Sequence, residues 1–144
     1  MTLQFIDTNV LLYAYDTTAG ARHDAASELV ARLASSGEAA ISVQVMQEFY
    51  VNAVSKIARR LTPEQAVQRL EAFARWCVYS PLPDDVMAAV RLAGQHQLSF
   101  WDAMIVLGAV RLKCAVLWTE ELNDGQKIEG VEIRNPFAKP VDMS

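Results

Sequence analysis

The sequence predicts an α/β fold, one domain whose mostly parallel central sheet of four to five strands is flanked by helices. Short β-type apolar runs alternate with helical patterns along the whole chain, as βαβ units require. With 144 residues, 52% of them hydrophobic, the chain is long and apolar enough to bury one core. No repeat, linker or low-complexity stretch divides it.

Leu3, Phe5 and Ile6 form an apolar run that stops at Asp7-Thr8-Asn9, as a buried strand stops where the chain leaves a sheet. A short apolar segment, Asn9 to Tyr15, follows. A helix is predicted from about Ala21 to Leu33, with Ala25, Leu29 and Leu33 on one stripe and a stop at Ser35-Ser36-Gly37. Ala39 to Ser42 is a second strand. From Val45 to about Arg60 the positions Val45, Phe49, Ala53 and Ile57 recur at helical spacing. Thr62 then caps another helix, with Pro63 at its first position and Gln65 at the capping-box position. Cys77 to Ser80 is a third strand. Pro83 and Asp84 open a helix to about Gln97, and Ser99 caps one running from Phe100 to about Leu112. Ala115 to Trp118 is a fourth strand, Thr119 to Gln126 a polar stretch, and Val131 to Arg134 a last strand before a proline-containing tail.

Thirteen basic against 17 acidic residues leave a net charge of -4, which excludes coating nucleic acid by bulk charge. A polyanion would need a local basic patch or bound cations. Cys77 and Cys114 have apolar neighbours and no CxxC spacing, so both are expected to be small buried residues of a cytoplasmic protein. No secretory signal or membrane span is expected.

In parallel α/β sheets ligands bind beyond the carboxyl ends of the strands. Asp7 follows the first strand, and Thr119, Glu120, Glu121 and Asp124 follow the fourth. Asp7 taken alone reads as a strand-end turn or N-cap residue, and the later acids as a solvated loop. Asp102 is the only charge on Trp101 to Val110, among apolar neighbours one turn on, and its distance from Ser99 also fits a capping box. Gly108, in mid-helix, predicts a close approach on that face. Glu48 points away from the buried stripe of its helix, with Asn52 and Ser55; periodicity alone leaves it a surface residue. Acids gathered in one pocket repel one another unless a cation sits among them, and Mg²⁺ or Mn²⁺ suits an all-oxygen set open to phosphate oxygens. His23 and His96 lack zinc-pair spacing, and the six glycines form no phosphate loop.

Four segments now carry a resemblance: Phe5-Ile6-Asp7-Thr8-Asn9, Ser42 to Phe49, Leu98 to Ala103, and Leu117 to Asp124. In their order and spacing the chain resembles the PIN-domain ribonucleases and, within them, the VapC-type toxins of bacterial toxin-antitoxin pairs. The resemblance spans Leu3 to about Pro136, so residues 1–136 are expected to form a PIN-like nuclease domain and 137–144 a C-terminal tail. It implies a Mg²⁺- or Mn²⁺-dependent endoribonuclease with Asp7, Glu48 and Asp102 as metal ligands. The family often carries Asp two residues after the threonine, where this chain has Glu121, so Asp124 is the preferred fourth acid and Glu121 the second choice. Asn9 and Thr119 are expected to orient the acids. Lys56, Arg59 and Arg60 are candidate RNA phosphate contacts. The implied partners are RNA, a VapB-like antitoxin inserted in the active-site groove, and a second copy of the chain, with no membrane.

Three rivals share some or all of these residues. A stand-alone RNA-processing nuclease would use the same chemistry, and a degenerate PIN fold would only bind RNA or protein. A haloacid-dehalogenase-like phosphatase would use Asp7 as nucleophile, but it expects a second Asp where this chain has Asn9.

Overall fold

Six strands form one sheet in the computed structural model, which describes residues 2–138. They are β1 (Gln4–Ile6), β2 (Ala39–Ser42), β3 (Cys77–Tyr79), β4 (Val116–Trp118), β5 (Lys127–Ile128) and β6 (Val131–Arg134), in the order β3-β2-β1-β4-β6-β5. All neighbours run parallel except β5 and β6, an antiparallel hairpin. The strand count exceeds the four to five expected because β5 has only two residues inside a polar stretch, too few to show alternation. Its turn is built by Glu129 and Gly130, both at positive φ (50° and 86°), the conformation that tight two-residue hairpins need.

The helices are α1 (Thr8–Tyr15), α2 (Ala21–Ser36), α3 (Val43–Ser55), α4 (Pro63–Phe73), α5 (Pro83–His96) and α6 (Phe100–Arg111). Helix α1, absent from the sequence reading, starts directly at the end of β1 with Asp7 as its N-cap. It buries Val10, Leu11, Leu12 and Ala14 around most of its circumference, so no one-sided stripe announces it. Helix α3 stops at Ser55 rather than Arg60, because the chain folds back and the Leu61 amide donates to the Ala53 carbonyl at 2.9 Å. Ile57 still packs on the core from outside the helix, which is why the apolar spacing runs on. The capping box at Thr62 is present in full, Thr62 Oγ accepting from the Gln65 amide and Gln65 Oε1 from the Thr62 amide.

Phe5, Ile41, Val45, Phe49, Phe73, Leu117 and Ile133 are fully buried and tie strands to helices. Phe49 and Phe73 meet edge-to-face at 5.0 Å. Ala103 to Ala109 are all buried, making α6 a core helix. A Cβ on Gly108 would stand 3.3 Å from the Phe5 ring and 3.4 Å from Tyr79, which accounts for the glycine by close approach to the sheet's side chains. Cys114 is buried, whereas Cys77 is only half-buried because β3 is an edge strand. Phe137, assigned to the tail by sequence, packs edge-to-face on Tyr13 at 5.2 Å; residues 139–144 of that tail lie outside the described residues. Among the described residues no helix is long and apolar enough to cross a membrane.

The chain moves outward from β1 through β2 to β3, then returns to the opposite flank of β1 as β4. The strand order therefore reverses between β1 and β4. A crevice opens beyond the carboxyl ends of strands at such a reversal, and this one sits where Asp7 and Thr119 leave the sheet.

Candidate active site

A polar pocket of about 220 Å³ occupies that position, lined by Asp7, Thr8, Asn9, Gln44, Glu48, Asn52, Trp101, Asp102, Ile105 and Glu121. Four acids reach it from four separate parts of the chain, and its lining contains no lysine, arginine or histidine.

Asp7 is the buried member, 6% exposed. As N-cap of α1 its Oδ1 accepts from the Thr8 amide at 2.7 Å, and its Oδ2 accepts from the Thr119 hydroxyl at 2.8 Å. Thr119 Oγ1 in turn accepts from the Glu121 amide at 3.1 Å, so one side chain sets both the Asp7 carboxylate and the backbone that carries Glu121. Glu48 lies midway along α3, where its Oε1 accepts from the Thr8 hydroxyl at 3.1 Å and from Gln44 Nε2 at 3.4 Å. Asp102 stands at the third position of α6, its amide donating to Ser99 Oγ at 3.1 Å. The reciprocal half of a capping box is absent, so capping uses the Asp102 backbone and leaves the carboxylate to the pocket. Asn9 Nδ2 donates to Glu121 Oε1.

The electrostatics follow from burial first and from this crowding second. Burial pushes the Asp7 carboxyl from 3.8 up to about 7; the Glu121 and Glu48 charges push the same way, against the hydrogen bonds from Thr119 and Thr8. Glu121 is also raised, first by burial and then by the Asp102 charge, with the Asn9 bond opposing. Asp7 and Glu121 are thus disfavoured as anions, by burial first and by neighbouring acids second, with no basic side chain in the lining to relieve them.

Asp124, the preferred fourth acid, is not in the pocket. It is exposed, and its Oδ1 accepts from the Asn135 amide at 2.9 Å, tying the loop after β4 to the chain leaving β6. Glu121 lines the pocket in its stead, because Thr119 turns the loop inward two residues on. Glu120 does not line the pocket and instead forms an ion pair with Arg22 at 3.2 Å. Lys56, Arg59 and Arg60 are exposed and none lines the pocket. Lys56 is eight residues beyond Glu48, about 12 Å along a helical rise, and Arg59 Nη1 donates to Thr17 Oγ1 at 2.9 Å. Asn9 donates to Glu121 and Thr119 to Asp7.

Five further lining residues, Thr8, Gln44, Asn52, Trp101 and Ile105, escaped the sequence reading as site members. Gln44 lies one turn before Glu48 and Asn52 one turn after, so helical spacing from Glu48 would have found both. Thr8 and Trp101 adjoin Asp7 and Asp102 in sequence.

The donor set fits a hard divalent cation. Every ionisable group in the lining is a carboxylate, the buried one is strained as an anion, and the volume admits an ion with several waters at about 30 Å³ each. Among the described residues, no three His, Cys, Asp or Glu side chains are already drawn together as a metal-ligating group.

Comparison with known proteins identifies the architecture. The family model described as PIN domain matches residues 5–123. A toxin-antitoxin complex from Klebsiella pneumoniae contains a similar chain, 23% identical, with a TM-score of 0.66 over 93% of this chain and 98% of that one. VapBC2 from Rickettsia felis, bound to a DNA fragment from its promoter, is similar at 21% identity and a TM-score of 0.62, covering 92% and 98%. Mycobacterium tuberculosis VapC20, a sarcin-ricin-loop-cleaving toxin, aligns at 20% identity and a TM-score of 0.59, covering 79% and 86%. At these identities the likeness is one of fold. No protein of curated function matches the sequence significantly.

Proposed function

The chain belongs to the PIN domain family, and on that premise we propose that it is a Mg²⁺-dependent endoribonuclease, the toxin of a VapBC-type pair, hydrolysing RNA phosphodiester bonds. The observation that carries this reading is the pocket at the β1/β4 reversal, where Asp7, Glu48, Asp102 and Glu121 meet without a cationic side chain. These four would hold Mg²⁺ or Mn²⁺. The ion supplies Lewis-acid polarisation of the phosphodiester and a lowered pKa for water, so no Ser, Cys or His nucleophile is required.

The protein's own part is orientation and charge. Thr119 and the Thr8 amide fix both oxygens of Asp7, Thr8 and Gln44 hold Glu48, and Asn9 holds Glu121. Such outer contacts set the direction of a ligand's lone pairs, and losing one typically weakens metal affinity or activity about 10- to 100-fold. Lys56, Arg59 and Arg60 would contact RNA phosphates away from the scissile bond. A VapB-like antitoxin and a second copy of the chain are the proposed protein partners, in the cytoplasm. Support for the antitoxin comes from similar chains solved as toxin-antitoxin complexes.

The direct test is cleavage of single-stranded RNA with Mg²⁺, with EDTA, and by Asp7→Asn and Asp102→Asn. Cleavage that needs Mg²⁺ and is lost in both variants is expected; full activity in both would overturn the assignment. Induction in cells should arrest growth and create new RNA 5′ ends, and co-expression of a small upstream reading frame should relieve the arrest.

A further inference from the structure

Trp101 is 64% exposed at the rim of the acid pocket, one residue before Asp102. The other two tryptophans serve the fold: Trp76 packs on Phe73 at 4.9 Å, and Trp118 Nε1 donates to Gln4 Oε1 at 2.8 Å. A single exposed apolar side chain needs no explanation by itself. This one differs in its placement and its anchoring. It is the only aromatic among the exposed large hydrophobic side chains of the described residues. Its backbone carbonyl accepts from Gln44 Nε2 at 3.3 Å, and that same amide donates to Glu48, so the ring's base is tied to the pocket wall. Phe100 braces the indole edge-to-face at 5.0 Å, limiting its freedom without covering it.

We propose that Trp101 is a positioning residue for RNA, its indole stacking on the nucleobase next to the phosphodiester held at the acids. The inference rests on the nuclease reading and deepens it. With a phosphodiester over Asp7, Glu48, Asp102 and Glu121, the next group along the strand is a sugar bearing a base. A braced, water-facing indole beside Asp102 is where that base finds a flat apolar partner. Stacking is tolerant of sequence because every base has a π-face, so Trp101 sets the register of the strand rather than the identity of the base. It also supplies affinity that does not depend on charge, which an acidic protein of net charge -4 needs for a polyanion.

The experiment measures binding of a fluorescein-labelled ten-nucleotide single-stranded RNA by anisotropy in Mg²⁺, with Asp7→Asn as the non-cleaving parent. Trp101→Ala and Trp101→Gln added to that parent should weaken binding by at least about fivefold, the lower end for loss of one stacked base. Trp101→Phe should stay within about threefold, and melting temperatures should not move. A single abasic position in the RNA should weaken the parent to a similar extent and add little to Trp101→Ala, because ring and base are lost as a pair. Unchanged affinity in both truncated variants, or abasic losses that add in full at every position, would overturn the inference and leave the nuclease reading intact. If RNA affinity is unchanged while inhibition by the neighbouring small protein is lost, the ring serves a protein partner and the RNA assignment is overturned. No RNA binding by the parent together with no cleavage by the wild type would overturn the nuclease reading itself.

Discussion

Asp7→Asn should stabilise the metal-free protein above neutral pH while removing its activity. The carboxyl titrates at 3.8 ordinarily and at about 7 in the fold. Between those values the folded state holds a proton that the unfolded chain has lost, so stability falls as pH rises and the penalty is complete above about 7. A shift of that size corresponds to about 4 kcal/mol at pH 8, an upper bound because the pocket is wet. Asparagine keeps the bond from the Thr8 amide to its Oδ1. Its Nδ2 would donate to Thr119 Oγ1, whose own hydroxyl proton then loses its acceptor, at a cost of about 1 kcal/mol. The net gain at pH 8 is up to about 3 kcal/mol, or roughly 10 °C in melting temperature for a domain of this size.

Thermal unfolding of both proteins in EDTA from pH 4.5 to 8.5 tests this. The difference between them should grow by about 1.4 kcal/mol per pH unit up to pH 7 and then level off. Using the difference cancels the titrating groups that do not interact with Asp7; Glu121, whose charge acts on Asp7, is not among them. Excess Mg²⁺ at pH 8 should close the gap, since a cation bound at the carboxylate offsets the cost of burying its charge in the wild type. A pH-independent difference, or an Asp7→Asn protein less stable than wild type at pH 8 in EDTA, would refute the assignment of strain to this carboxylate.

Three further outcomes are expected. Glu121→Gln should lower kcat/KM for RNA by at least about tenfold, whereas Asp124→Asn, outside the pocket, should stay within about threefold; equal losses would refute the placement of the fourth acid. Mg²⁺ affinity by calorimetry should rise with pH through 7 with release of a proton, because Asp7 must ionise to ligate; a flat profile from pH 6 to 8 would count against it. Phe49→Ala, at the centre of the Tyr15–Phe49–Phe73 cluster, should cost about 3–5 kcal/mol in urea unfolding; a cost below about 1 kcal/mol would mean the cluster is not a core.

What the sequence disclosed about the fold depends on whether an element has two different faces. Helices α4 and α5 have a wet side and a dry side, and they begin at Pro63 and Pro83, where the sequence places their first residues. Helix α1 is buried on most sides and eight residues long, so an apolar run of that length reads equally as strand, turn or helix. The pairing of β5 with β6 is a long-range fact about two residues and has no local signature.

The site was legible to the extent that its residues break a local rule. Asp102 does so as the lone charge on a buried helix, and Asp7 does so by following a buried strand. Glu48 breaks none, since it sits on the polar side of α3 as a surface residue would. Only topology reveals that this side faces a crevice, because α3 begins where β2 ends, beside β1 in the sheet. The choice between Glu121 and Asp124 was lost for a similar reason. Both lie in one polar loop, and what separates them is a hydrogen bond between Thr119 and the Glu121 amide, balanced by one between Asp124 and the Asn135 amide. The first turns Glu121 toward three other acids and the second spends Asp124 on the chain leaving β6. The net charge of -4 thus hides an uneven distribution: four of 17 acids sit around one pocket whose lining has no base. A divalent cation there would offset part of that charge and present a positive centre to an incoming phosphate, so acidity at this place does not by itself oppose a polyanionic substrate.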